Sequence, residues 1–83
     1  MEKVVIYSNS ARISSNAFDM TITFSQIVAE FNENEVTGHK TTELVDVITT
    51  PKHAKLLLNA LATQIAKYED QYGEISINKI DKK

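Results

Sequence analysis

The side chains able to do chemistry are few and scattered. Two histidines, His39 and His53, stand far apart in the chain. A metal site would need further ligands at a defined spacing, and none stands beside either residue. His53 reads as a polar helix-start residue, and His39, next to Lys40, as a solvated loop residue. Ser8, Ser10, Ser14 and Ser15 are dense, but no nucleophile elbow surrounds them and no base stands near. They read as turn caps. Glu69, Asp70 and Glu74 are carboxylates that could share acid–base work, yet they end a helical pattern and read as a solvated face. Asp46 stands between Leu44 and Ile48. Buried, it would require a partner such as Arg12 or a lysine; an edge position open to water is the simpler reading. With only Gly38 and Gly73 as glycines, a glycine-rich phosphate loop is excluded. No catalytic residue, metal or cofactor is expected, and the chain is read as a non-enzyme. One anion-binding set remains: Arg12, Lys52, His53 and Lys55, near a helix start whose dipole favours negative charge.

The elements that must carry these residues follow from periodicity. Val4–Tyr7 is β-branched and aromatic, which predicts a strand over about 3–8. A short strand is expected over 11–14. Phe18, Met20, Ile22 and Phe24 alternate with Asp19, Thr21, Thr23 and Ser25, the pattern of a half-buried strand over about 17–30. The phase then changes, with Ile27, Ala29 and Phe31 on the other parity. A bulge near Ser25–Gln26 or a strand end would produce that change. "NENEVTGHK" reads as a loop, and a further strand is expected over 41–49. Pro51 then opens a helix over 51–72 with Thr50 as its N-cap. Ala54, Leu57, Leu58, Leu61, Ile65, Tyr68 and Tyr72 share one face, and Gly73 stops it. A short strand at Ile75–Ile77 and a charged tail at 78–83 would end the chain. The order predicts a single α+β domain over 1–83. It consists of an antiparallel meander of three to four strands followed by one long helix packed on one sheet face.

The chain has 83 residues and no cysteine. That length allows one domain, and a domain so small hides only about 60% of its unfolded surface. Disulfides and thiolate metal sites are excluded, which leaves a compact core, a partner, or both. A net charge of −2 argues against a basic nucleic-acid surface. Phe18 and Phe24 alternate with Asp and Thr, so they read as core rather than as base-stacking platforms. "MEKVVIYSNS" carries no apolar h-region, so no signal peptide is expected, and no apolar run approaches a membrane span. A cytoplasmic location is the resulting expectation.

One helix covers one face of a small sheet. Val4 and Ile6 oppose Val5 and Tyr7, and Val45 and Val47 oppose Leu44 and Ile48, so apolar residues are expected on both faces. An uncovered apolar face usually marks an interface, which predicts a homo-oligomer, most simply a dimer. The candidate interface residues are Val5, Tyr7, Leu44 and Ile48 on the strands. Leu56 and Ala60 join them on the side of the helix away from its stripe.

"YSNSARISSNAFDMTITF" and, after a variable loop, "VDVITTPKHAKLLLNALATQIAKYEDQYGEI" carry a pattern. It is a Tyr-x-Asn start, a strand, then Pro-x-His-Ala-Lys leading to Tyr-Glu-x-x-Tyr-Gly. Tyr7, Asn9, Arg12, Phe24, Pro51, His53, Ala54, Lys55, Leu58, Leu61, Tyr68, Glu69, Tyr72 and Gly73 fit it. The chain thereby resembles the small bacterial and archaeal domain-of-unknown-function family numbered 3467. The resemblance implies a fold and a cytosolic habit, and it brings no activity or cofactor. The meander-plus-helix layout is also similar to a subunit of SecB-type export chaperones, an analogy of layout alone. Three functions are therefore in play: a non-enzymatic oligomerising module that meets an unidentified protein partner, a SecB-like binder of unfolded or apolar segments, and a small anion or nucleic-acid binder near the helix start.

Overall fold

A computed structural model describes residues 2–77. The elements are β1 (Ser10–Ser15), β2 (Met20–Asn32), β3 (Glu35–Thr49) and α1 (Pro51–Tyr72). The strands form one antiparallel sheet in the order β1-β2-β3, and a single helix follows, the α+β order read from the sequence. The chain divides into two compact units, Met1–Pro51 and Lys52–Lys83.

In the strand unit, β1 and β2 are joined by a turn built on Asn16. Its Oδ1 accepts the Phe18 and Asp19 N–H groups at 2.8 and 2.9 Å, and its own N–H donates to the Asp19 carbonyl at 3.0 Å. This is the local bonding that makes Asn a turn former. The β2–β3 turn has two residues, Glu33 (φ 55°) and Asn34 (φ 73°). Positive φ at both central positions is the type I′ hairpin geometry, whose twist matches the strands it joins.

The segment "NENEVTGHK", expected to be a loop, is therefore the tip of a long hairpin. Glu35 to Lys40 are already strand, laddered from Asn32↔Glu35 to Val28↔Lys40. Glu-Asn at the tip hid the turn, because the strong hairpin signal is Asn-Gly.

The expected strand over 3–8 is absent: residues 2–8 lie outside the strands and the ladder begins at Ser10. Side chains complete the pairing at that end. Asn9 Nδ2 donates to the Ile27 carbonyl at 3.0 Å, and the Ile27 N–H donates back to Asn9 Oδ1 at 2.8 Å. One amide side chain thus fills the two bonds that a strand backbone would have made. Ser8 Oγ donates to the Ser25 carbonyl at 2.7 Å, across to β2, and Ser10, Ser14 and Ser15 are β1 residues, so these serines are not the turn caps expected.

The helix has the bounds its sequence signals predict. Gly73 takes φ 99° and donates its N–H to the Glu69 carbonyl at 2.9 Å, so glycine serves as the left-handed stop. Glu69 Oε2 accepts the Ile75 N–H at 2.9 Å. The short strand expected at Ile75–Ile77 is not formed, and the charged tail at 78–83 lies outside the described residues. No residue of α1 is buried.

Candidate interaction surfaces

The strand register assigns side chains to faces, because paired residues share a face and neighbours alternate. Ile13 pairs with Ile22 and Ala11 with Phe24; Ile22 pairs with Val47 and Phe24 with Val45. These residues form one continuous apolar face. The other face is polar. Thr23 lies between Arg12 and Asp46, and Ser25 lies between Ser10 and Glu43.

On that polar face Arg12 Nη1 contacts Glu43 Oε2 at 3.0 Å, from one edge strand to the other. Beneath the pair, Thr23 and Ser25 are the buried polar residues, each 5% exposed. Thr23 Oγ1 donates to Asp46 Oδ1 at 2.7 Å. Asp46 is thus exposed, as the simpler reading had it, and its partner is a threonine rather than Arg12. With side chains 66% and 59% exposed, the Arg12–Glu43 pair contributes at most about 1 kcal/mol.

The phase change in β2 coincides with a register shift between Phe24 and Ser25. The additional residue, however, is Leu44 on β3, while β2 continues unbroken. Past that point Ile27, Ala29 and Phe31 take the face opposite Phe24, with Thr41, His39 and Val36 as partners. A bulge increases local twist, so the apolar side of the ribbon changes face along its length. The expected apolar second face beside Val45 and Val47 is also corrected. Of its two β3 members, Leu44 is the unpaired bulge residue, and Ile48 pairs with Thr21 at the end of that face where its neighbours Thr23, Asp46 and Arg12 are polar.

Among the described residues no hydrophobic side chain is buried. On the sheet Ile13 is 62% exposed and Val47 42%. Val4 and Ile6 join Phe24, Val45 and Val47 around a shallow apolar groove. On the helix the stripe residues from Leu57 to Tyr72 are all exposed, Leu58 at 63% and Tyr72 at 67%. The Tyr68 and Tyr72 rings lie 4.9 Å apart, centroid to centroid.

The candidate interface residues fall in four places. Val5 and Tyr7 are exposed in the segment before β1. Leu44 is at the bulge, Ile48 is on the largely polar face, and Leu56 and Ala60 are exposed on the helix. Of the candidate anion set, Arg12 belongs to the strand unit and is held by Glu43, while Lys52, His53 and Lys55 belong to the helix unit. His39 is a strand residue opposite Ala29. Among the described residues no three His, Asp or Glu side chains gather to hold a metal ion, and no helix is long and apolar enough to cross a membrane.

Sequence reasoning missed the parts played by Asn9 and Asn16. The signal was present in both cases, since asparagine before or after a short strand commonly bonds backbone groups nearby. Comparison with known proteins gives one match: the family of proteins of unknown function designated DUF3467 is matched over residues 2–77. No curated protein and no solved structure matches the chain.

Proposed function

We propose that this chain, which belongs to the DUF3467 family of proteins of unknown function, is a non-enzymatic module that works as a homo-oligomer and through protein contacts. The observation that carries the reading is that no hydrophobic side chain is buried among the described residues. Burial of apolar surface is the dominant favourable term in folding, and it must offset a conformational entropy cost of similar size. Apolar side chains left open on the strand unit and on the helix gain that offset by association.

Light scattering coupled to size exclusion at micromolar concentration tests the reading. A dimer or larger assembly is expected, and a monomer that unfolds cooperatively overturns it.

A second reading, capture of unfolded apolar segments, is favoured by the groove at Val4, Ile6, Phe24, Val45 and Val47, on a sheet whose outer strands, β1 and β3, pair on one side only among the described residues. Such an edge can accept a further extended segment. Suppression of aggregation of a model client, abolished by Val45→Asp, would support it. Suppression that survives Val45→Asp would rule out this groove.

A further inference from the structure

The charges on α1 run against its own dipole. Lys52, His53 and Lys55 stand in or beside the first turn, where there is no acidic residue. Glu69 and Asp70 stand near the end, where the last turn holds no basic residue. A helix dipole favours the reverse order, so the arrangement is unfavourable within one helix. It becomes complementary when a second copy lies alongside, head to tail.

The apolar stripe has the spacing for such a pairing. Ala54, Leu58, Leu61, Ile65, Tyr68 and Tyr72 follow each other at alternating steps of four and three, an unbroken a/d heptad seam along the 22-residue helix. Lys55, Ala62 and Glu69 then occupy successive e positions. In an antiparallel pair, residues on the same flank meet, so e faces e.

We infer that the stripe of α1 is an antiparallel coiled-coil surface whose occupant is the α1 helix of a second copy of this chain, an inference that rests on the homo-oligomer reading above. A two-fold axis at the level of Thr63 uses every seam residue. Ala54 faces Tyr72, Leu58 faces Tyr68, and Leu61 faces Ile65, each pair occurring twice. The smallest seam residue meets a large ring, which is how facing layers fill space. The tyrosines lie in the outer layers, where their hydroxyls reach water while their rings are covered. The same axis sets Lys55 beside Glu69 of the second copy, also twice, and Ala62 beside its own equivalent. Glu69 already accepts the Ile75 N–H on Oε2, and a carboxylate has acceptor capacity on both oxygens. Charges at e positions fix orientation in coiled coils. A parallel pair would set the basic starts of the two helices level with one another.

The chain has no cysteine, so single thiols report the orientation. In the antiparallel pair two copies of residue 55 are about 24 Å apart along the axis, whereas residues 55 and 69 are neighbours. Lys55→Cys and Glu69→Cys chains, mixed at native concentration and treated with a short bismaleimide, are expected to give a cross-linked heterodimer several-fold above either variant alone. Self-linking of Lys55→Cys to the same yield overturns the orientation. Absence of the mixed product, with light scattering still reporting an oligomer, overturns helix pairing and leaves the homo-oligomer reading standing; a monomer removes both. Charge reversal gives an independent readout. Lys55→Glu and Glu69→Lys each place like charges together at two symmetric positions, so each weakens association by about tenfold. The equimolar mixture restores it, because the heterodimer pairs opposite charges again. A mixture no tighter than either variant overturns the proposal.

Discussion

Dilution is the most direct perturbation of a chain with no buried hydrophobic side chain among its described residues. If folding and association are one event, unfolding releases two chains, and the stability of the folded form depends on protein concentration by mass action. Each tenfold dilution lowers the free energy of the dimer relative to two unfolded chains by about 1.4 kcal/mol. Two chains of 83 residues at about 2.1 cal/mol/K per residue give an unfolding entropy of about 350 cal/mol/K. The midpoint therefore falls by about 4 °C for each tenfold dilution, or about 8 °C across two decades. Thermal melts followed by far-UV circular dichroism, in long cells at the dilute end, resolve that shift. The helix and the strands should melt together, since the same burial holds both. A midpoint constant within about 1 °C over the same two decades would show that each chain is stabilised by contacts of its own, and the reasoning from exposed apolar surface would fail.

Three substitutions test the local architecture. Asn9→Ala removes the two side-chain bonds to the Ile27 backbone. It should cost about 1–2 kcal/mol and speed hydrogen exchange at the Ile27 amide, while an unchanged exchange rate would show the chain re-forming those bonds by itself. Gly73→Ala meets no heavy atom within 4 Å but must hold φ 99°; a loss of about 1 kcal/mol in denaturant melts follows from backbone strain alone, and an unchanged midpoint would contradict it. Replacing the hairpin tip Glu33-Asn34 by Asn-Gly should raise stability by about 0.5–1 kcal/mol, since both residues favour the required positive φ; a lowered midpoint would mean the turn is not type I′.

What was legible divides by the range of the rule involved. The helix could be read because each of its signals is local and redundant: Pro51 at its start, Gly73 at its stop, and apolar steps of three and four between them. The β2 strand could be read from Met20 to Phe24 by its strict alternation, but the same pattern extends the strand and its core face to Phe18, which lies in the β1–β2 turn and is 80% exposed. The strand at 3–8 was misjudged because β-propensity states what fits a half-buried surface, not whether a neighbour is present. Val4–Tyr7 has the composition, but the Asn9 side chain occupies the ladder at Ile27. The hairpin tip is hard to read because Glu33 is an unusual residue at positive φ, although Asn34 beside it is a usual one. The bulge was placed at the right level and on the wrong strand. The swap of apolar faces is visible in β2, while the extra residue that accompanies it, Leu44, is visible only in the pairing.

Natural sequences are consistent across levels, and breaks in that consistency carry information. Two breaks here point the same way. An apolar seam on α1 has no buried member, and the charges beside it oppose the helix dipole. Either alone has an ordinary explanation, since exposed apolar residues are common and charge effects at exposed helix ends are small. Together they share a geometry. The seam is symmetric about Thr63, and the basic and acidic e positions, Lys55 and Glu69, are spaced by two full heptads so that a two-fold axis exchanges them. A helix destined for a sheet face needs only a wide apolar stripe. It has no need of a sharp a/d seam or of opposite charges at matching heptad positions. Those are requirements of pairing with a copy of itself, and the proposed antiparallel helix pair rests on the two features together.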